Sequence, residues 1–150
     1  MRKLLTLSLF FLLAFNSRLS ACTCTPIKSI KREFLQSSSV FIGKVVSVTP
    51  VKMDSSSTNI QYRIVFELKQ GFKNARKKRI QVFTGVDDDC GFAFVKDVEY
   101  LVFAVGGLVL ETNQCTRTKE AVEADIDVMV LNYIINNPDP EESSEEKNKD

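Results

Sequence analysis

The chain has 150 residues, with 20 Lys and Arg against 19 Asp and Glu, no His and a formal net charge of +1. This near-balance of charge does not favour a nucleic-acid partner. Without histidine, the chain cannot form a Ser-His-Asp or Cys-His catalytic arrangement or a catalytic metal site built on histidine. The six glycines are scattered and form no phosphate-binding loop. We therefore predict a protein that binds, without a cofactor of its own, and not an enzyme.

Residues 1–21 have the order of charged, apolar and small residues that is typical of a secretory signal peptide. Met1-Arg2-Lys3 is positive, Leu4 to Phe15 is apolar, and the segment ends in Ser20-Ala21. The apolar run is shorter than the roughly 20 residues of a transmembrane helix. We expect a cut after Ala21, which would leave a secreted, extracellular chain with 17 basic and 19 acidic residues and a formal net charge of −2.

The four cysteines are Cys22, Cys24, Cys90 and Cys115. In an exported chain of this size they indicate two disulfides in one domain, which we place at residues 22–136. A zinc site made of four thiolates is the alternative, but these cysteines lack paired C-x-x-C spacing.

The first element predicted in this domain is a short N-terminal helix, because Ile27, Ile30, Phe34 and Leu35 share one helical face. Strands follow, with β-branched or alternating apolar residues and with a bulge or bend at Gly43. The Gly106-Gly107 pair predicts a hairpin before the last strand. The predicted strands are Val40 to Val48, Ile60 to Lys69, Ile80 to Thr84, Glu99 to Val105 and Leu108 to Thr112.

A basic turn, Gly71 to Arg79, separates two of these strands and carries Lys73, Arg76, Lys77, Lys78 and Arg79. Such a turn is either a solvated loop or a weak contact for a polyanion such as heparin.

The pattern from about Thr118 to Asn136 is helical, and Pro138 ends it. The apolar face predicted for this helix consists of Val122, Ile126, Met129, Val130, Tyr133 and Ile134. Residues 137–150 are acidic and polar and are predicted to be a disordered tail.

Between Cys22 and Asn136, the chain resembles the N-terminal domain of the tissue inhibitors of metalloproteinases, a netrin-like module, in a single-domain form. The resemblance depends on a combination of motifs. These are Cys22-Thr23-Cys24-Thr25-Pro26 at the expected mature N-terminus, Cys90-Gly91, the Tyr100-Leu101-Val102 strand, and Cys115 ahead of a helix.

The resemblance implies a mainly β fold, with a five-stranded OB-like barrel and disulfides that join Cys22 to Cys90 and Cys24 to Cys115. It also implies a monomer that inhibits a zinc metalloproteinase. In this family the α-amine and carbonyl of the first cysteine bind the catalytic zinc of the protease, and the next residue enters the adjacent substrate pocket. By residue match, Cys22 would bind the zinc and Thr23 would fill the pocket.

The resemblance also implies which other residues contact the protease. Cys24, Thr25 and Pro26 would complete the inhibitory segment, and the loop before Cys90 would lie beside it. In this loop Asp88 and Asp89 replace the small or apolar residues of the family. Their carboxylates would repel an acidic protease rim or select a different target.

Two alternatives begin from the same residues. Leu19-Ser20-Ala21-Cys22 fits a bacterial lipobox, and a lipid on the sulfur and amine of Cys22 would make the protein a membrane-anchored lipoprotein that cannot bind zinc. The second alternative is a secreted netrin-like module that inhibits nothing and binds a partner through the basic turn.

Overall fold

A computed structural model describes residues 22–24, 29–52, 60–85 and 90–138. The predicted signal peptide and residues 139–150 of the predicted tail lie outside these ranges. So do four residues of the predicted protease contact, Thr25, Pro26, Asp88 and Asp89.

Five antiparallel strands form one sheet, which confirms a mainly β fold. The strands are β1 (Ser39–Lys52), β2 (Ile60–Lys73), β3 (Arg79–Gly85), β4 (Glu99–Ala104) and β5 (Lys119–Glu120). Their order in the sheet is β3-β2-β1-β4-β5, so β3 and β5 lie at the two edges. The sheet is open, and the closed OB-like barrel stays a prediction.

The predicted irregularity at Gly43 is confirmed. The pairing of β1 with β2 shifts register between Ile42 and Gly43. A Cβ atom at Gly43 would lie 3.0 Å from the Cβ of Phe66 and 3.1 Å from the ring of Phe41. Glycine therefore permits the close approach of β1 and β2 at this bend.

The predicted strand from Leu108 to Thr112 is wrong. The chain turns at Gly106, whose φ is +111°, and Leu108 is fully exposed. Within the segment only Glu111 forms bridges, one with Phe83 of β3 and one with Val105 just after β4. The segment divides its hydrogen bonds between these two partners, so it does not form a continuous ladder with either.

Two apolar clusters lie against the sheet, and β4 contributes to both. The first cluster includes Tyr100 and Val102, and the second includes Leu101 and Phe103. Successive side chains of a strand point to opposite faces, so β4 is buried on both sides. The second cluster lies between the sheet and the helices.

Two helices accompany the sheet, as predicted. Helix α1 (Ile30–Gln36) begins after Ser29, whose hydroxyl accepts a hydrogen bond from the N–H of Arg32. Helix α2 (Asp125–Asn136) follows a 3-10 turn at Ala121–Glu123. Its predicted start near Thr118 is wrong, because Lys119 and Glu120 pair with β4. Among the described residues, no helix combines the length and apolar character needed to cross a membrane.

The apolar face predicted for α2 is also largely wrong. Val122, Ile126, Met129 and Tyr133 are all more than two-thirds exposed. The side that packs on the sheet instead contains Ala124, Leu131 and the carboxylate of Asp127. Asp127 is accommodated there because Arg117 and Lys119 both contact it. The helix therefore packs with Leu131 and the Asp127 ion pairs towards the sheet and leaves Ile126, Met129 and Tyr133 exposed to solvent.

Candidate functional site

The site begins with three consecutive residues that two disulfides attach to the domain. Cys22 is bonded to Cys90 and Cys24 to Cys115, as the family resemblance implies. The sequence separations are 68 and 91 residues. Each cross-link of this length contributes about 4 kcal/mol in the chain-entropy account of disulfide stabilisation. Two long-range bonds therefore restrain a segment that has no regular secondary structure.

The segment lies at the surface. Thr23 and Cys24 are exposed, and Cys22 is half-buried. The two disulfides lie side by side, with 3.9 Å between the Sγ atoms of Cys22 and Cys115. Since its two neighbours are both bonded to the body of the fold, Thr23 is presented to solvent from a backbone fixed on either side.

The loop that carries Cys90 is held by aromatic packing. Phe92 and Phe94 both pack against Tyr100 of β4, with ring centroids 5.8 and 4.9 Å away. The N–H of Phe92 donates to the hydroxyl of Thr84 at 2.7 Å. Cys90 itself has φ of +59°, a left-handed conformation that is uncommon for a residue other than glycine. These contacts and the disulfide hold the backbone of Cys90 in that conformation.

The loop that carries Cys115 is held by hydroxyl groups of residues that were not among the predicted site residues. The hydroxyl of Thr112 lies 2.9 Å from those of Thr116 and Thr118 and donates to the carbonyl of Phe103. Thr112 and Thr118 are buried. The signal in the sequence was the spacing of three threonines around Cys115. Buried hydroxyl groups with satisfied hydrogen bonds favour a single arrangement of this loop.

A direct hydrogen bond joins the two loops. The N–H of Gln114, next to Cys115, donates to the carbonyl of Cys90 at 2.9 Å. The N–H of Cys115 donates to the side-chain oxygen of Asn113 at 2.8 Å. The two disulfide attachment points therefore hold one another in position, and Cys22 and Cys24 are attached to a single rigid support.

A small apolar depression lies close to this support. Its volume is about 270 Å³. Its lining includes Phe92, two residues after Cys90, together with Val48 and Tyr62, which are each 36% exposed. An apolar surface of this kind is suited to contact with another protein.

The cysteine sulfur atoms do not form a thiolate metal site. The Sγ atoms of Cys22, Cys24 and Cys115 all lie within 4.8 Å of one another. However, all four cysteines are paired in disulfides. Zinc binds deprotonated thiols, so these bonded sulfur atoms do not form the alternative zinc site.

The cations of the basic turn have different surroundings. The ammonium group of Lys73 donates to the backbone carbonyls of Phe34 and Leu35, at 2.9 and 3.0 Å. Lys73 therefore stabilises the end of α1, where a positive charge is favourable. Residues Arg76 to Arg79 are exposed. The predicted polyanion contact would thus depend on Arg76 to Arg79, while Lys73 has a structural role.

No protein-family model and no curated protein sequence matches the chain.

Proposed function

We propose that the chain, cut after Ala21, is a secreted inhibitor of zinc metalloproteinases. The observation that carries this proposal is the geometry of Cys22 to Cys24, in which exposed Thr23 lies between two cysteines bonded to a common support. After the cut, the α-amine and carbonyl oxygen of Cys22 would be available as ligands for the zinc of the protease.

The chemistry of zinc fits this arrangement. Zinc accepts nitrogen and oxygen ligands, and the catalytic zinc of a protease keeps one position for water or substrate. An inhibitor that occupies this position with a five-membered chelate displaces the water needed for hydrolysis. The side chain of Thr23 would then enter the adjacent substrate pocket.

Rigidity favours tight binding in this mechanism. A loose chain terminus must be ordered when it enters an active site, and this ordering reduces affinity. Here the two disulfides and the Gln114 to Cys90 hydrogen bond restrain the terminus before binding. The apolar depression lined by Val48, Tyr62 and Phe92 supplies a further contact for the protease surface.

An OB-like barrel is part of the same proposal. The N–H of Phe83 donates to Leu110, and its carbonyl accepts from Thr112. Glu111 exchanges two backbone hydrogen bonds with Val105. The segment between Leu110 and Thr112 therefore bridges the edge strand β3 to the residue just after β4, a contact that supports closure of the sheet.

The experiment compares two forms of the purified chain, one beginning at Cys22 and one with a single Ala before it. Inhibition is measured against a panel of zinc metalloproteinases, with serine proteases as controls. We expect the Ala-extended form to lose inhibition while its melting temperature is unchanged, because its α-amine no longer lies on Cys22. Equal inhibition by both forms would show that the zinc-binding mechanism is wrong.

A second comparison tests the role of Thr23. We expect Thr23→Gly to weaken inhibition or to shift it between proteases, because the side chain that fills the pocket is removed. Asn136→Gly is a matched control at an exposed residue at the end of α2. It should leave the order of inhibition across the panel unchanged.

Intact mass and peptide mapping of the protein from its own host distinguish the lipidated alternative from the proposed inhibitor. The Cys22–Cys90 disulfide uses the sulfur atom that a lipid thioether would need. We therefore expect a free Cys22 amine and a peptide containing the Cys22–Cys90 bond. A diacylglyceryl mass on Cys22 would exclude inhibition through zinc binding by Cys22.

A further inference from the structure

A groove of about 1010 Å³ lies between the basic turn and the loop that follows β4. Its basic wall includes Arg76, Lys77 and Arg79, and its apolar wall includes Leu108 and Val109. Leu108 is fully exposed and Val109 is 48% exposed. The proposed inhibitor mechanism does not use this groove.

The edge strand β3 borders the groove and leaves part of its backbone available. Phe83 directs its N–H and carbonyl outward, to Leu110 and Thr112. Lys78 directs its carbonyl the other way, to the N–H of Leu68 in β2. Because these directions alternate along an antiparallel strand, the backbone groups of Arg79 and Gln81 face outward like those of Phe83.

Within the described ranges, no backbone hydrogen bond reaches the outward side of Arg79 or Gln81. Both residues line the groove. An unpaired edge of this kind accepts an additional strand readily. The bridge to Leu110 and Thr112 covers the edge at Phe83 and leaves the part next to the basic turn open.

We propose that this groove binds an extended, acidic segment of a partner protein, which adds as a strand to the open part of β3. The backbone of Gln81 would supply hydrogen bonds, as in other complexes in which a peptide extends a sheet. Arg76, Lys77 and Arg79 would contact its carboxylates. Its apolar side chains would pack on Leu108 and Val109.

The chemistry of the groove favours this occupant over two others. A sulfated glycan would satisfy the cations, but it has no regular row of N–H and carbonyl groups to pair with the strand edge. A second copy of the chain that added its own β3 would bring a second set of cations beside Arg76 and Arg79, and like charges repel.

The test uses the full secreted chain and a fluorescent nine-residue peptide of alternating Glu and Val. Binding is followed by fluorescence anisotropy and by hydrogen exchange at the Gln81 amide. We expect saturable binding that weakens with added salt and slows exchange at Gln81. A peptide of the same charge, with Pro at alternate positions in place of Val, should bind about tenfold more weakly because Pro lacks the N–H donor.

Two charge variants locate the site. Arg76→Glu with Lys77→Glu should weaken binding of the Glu-Val peptide by about tenfold or more, because two attractions become repulsions. Lys52→Glu with Lys96→Glu makes the same change in net charge at exposed residues that do not line the groove. This matched control should bind like the parent.

Three outcomes would overturn the proposal. Equal binding of the Glu-Val and Pro-containing peptides, with equal competition by heparin, would mean that the groove recognises charge alone. Absence of peptide binding would exclude the site if binding is also absent in a variant in which four acidic residues of the tail are changed to Gln. These residues are Glu141, Glu142, Glu145 and Glu146. Binding that appears only after this change would mean that the acidic tail of the chain itself occupies the groove.

Discussion

Arg117 and Asp127 form an ion pair in which the Nη2 and Oδ1 atoms are 2.7 Å apart. Lys119 contacts the other carboxylate oxygen of Asp127 at 2.8 Å. Arg117 lies two residues after Cys115, and Asp127 lies in the first turn of α2. The pair therefore connects the helix to the loop that holds the second disulfide, and the stability of the helix is coupled to the candidate site.

We expect Asp127→Asn to lower the free energy of unfolding by about 3 kcal/mol, because it leaves two cations beside a neutral side chain in a partly buried position. This value is at the lower end of the usual range because the Lys119 side chain keeps 30% exposure and can rehydrate. Urea unfolding of the parent and the variant measures the difference. Asp125→Asn is the control, because Asp125 is exposed in the same turn and should change stability by less than about 1 kcal/mol.

The same carboxylate predicts a dependence of stability on pH. Burial alone would raise the pKa of Asp127, but its hydrogen bonds and charge interactions with Lys119 and Arg117 outweigh burial and lower the pKa below the ordinary value of 3.8. A group with a lowered pKa in the folded state stabilises that state above its unfolded pKa. This contribution is lost as the pH falls through the folded pKa.

Unfolding free energies measured from pH 6 to pH 2 test this dependence. The difference between the parent and Asp127→Asn should be constant above about pH 5 and should decrease as the pH falls further. Because the rest of the chain is common to both proteins, the difference isolates Asp127. A difference that did not change over this range would show that the ionised form of Asp127 is not what stabilises the fold.

Local pattern was sufficient to predict the long strands and insufficient to predict how α2 packs. The alternation from Ile60 to Lys69 places Ile64 and Phe66 in the core, as expected. In α2, the large apolar residues suggested one buried face, whereas the face that contains Asp127 and Leu131 is the buried one. A competing apolar row in the same helix, Val128, Leu131 and Ile134, packs on the sheet. The cations that neutralise Asp127 come from the preceding segment, so the pattern within the helix did not decide between the two faces.

The candidate site was predictable only in part for a similar reason. The pairing of Cys22 with Cys90 and of Cys24 with Cys115 followed from the family resemblance, since spacing alone leaves the connectivity open. The left-handed backbone of Cys90 depends on its bonds to Cys22 and Gln114, which are distant in sequence. The threonine hydroxyl groups around Cys115 bond within one short stretch of chain, so their spacing was visible in the sequence but their hydrogen bonding was not. The unpaired part of β3 likewise depends on the segment after Gly106, which pairs with Phe83 and leaves Arg79 and Gln81 uncovered.

Removal of the second disulfide should lower both the stability of the fold and the inhibition, and the two effects can be measured separately. We expect Cys24→Ala with Cys115→Ala to lower the free energy of unfolding by about 4 kcal/mol. At a temperature where this variant remains folded, we expect it to inhibit more weakly than the parent, because the segment after Thr23 is no longer attached. Circular dichroism establishes the folded fraction, and inhibition is measured in the same samples. Unchanged inhibition by the folded variant would show that the Cys22–Cys90 bond alone positions the terminus.

The packing of Phe94 should determine how firmly Cys90 is held. Its ring contacts the rings of Phe66, Phe92 and Tyr100 at centroid distances of 4.6 to 5.2 Å. We expect Phe94→Ala to lower the free energy of unfolding by about 3 to 5 kcal/mol, because a buried aromatic side chain is replaced by a cavity.

Phe94→Leu is the matched control, since it keeps an apolar side chain at this position and should be less destabilising. Hydrogen exchange at the Gln114 amide, which donates to the carbonyl of Cys90, reports on the loop directly. We expect faster exchange in Phe94→Ala than in Phe94→Leu under conditions where both remain folded. Equal exchange rates in the two variants would mean that the disulfide positions Cys90 without help from the aromatic cluster.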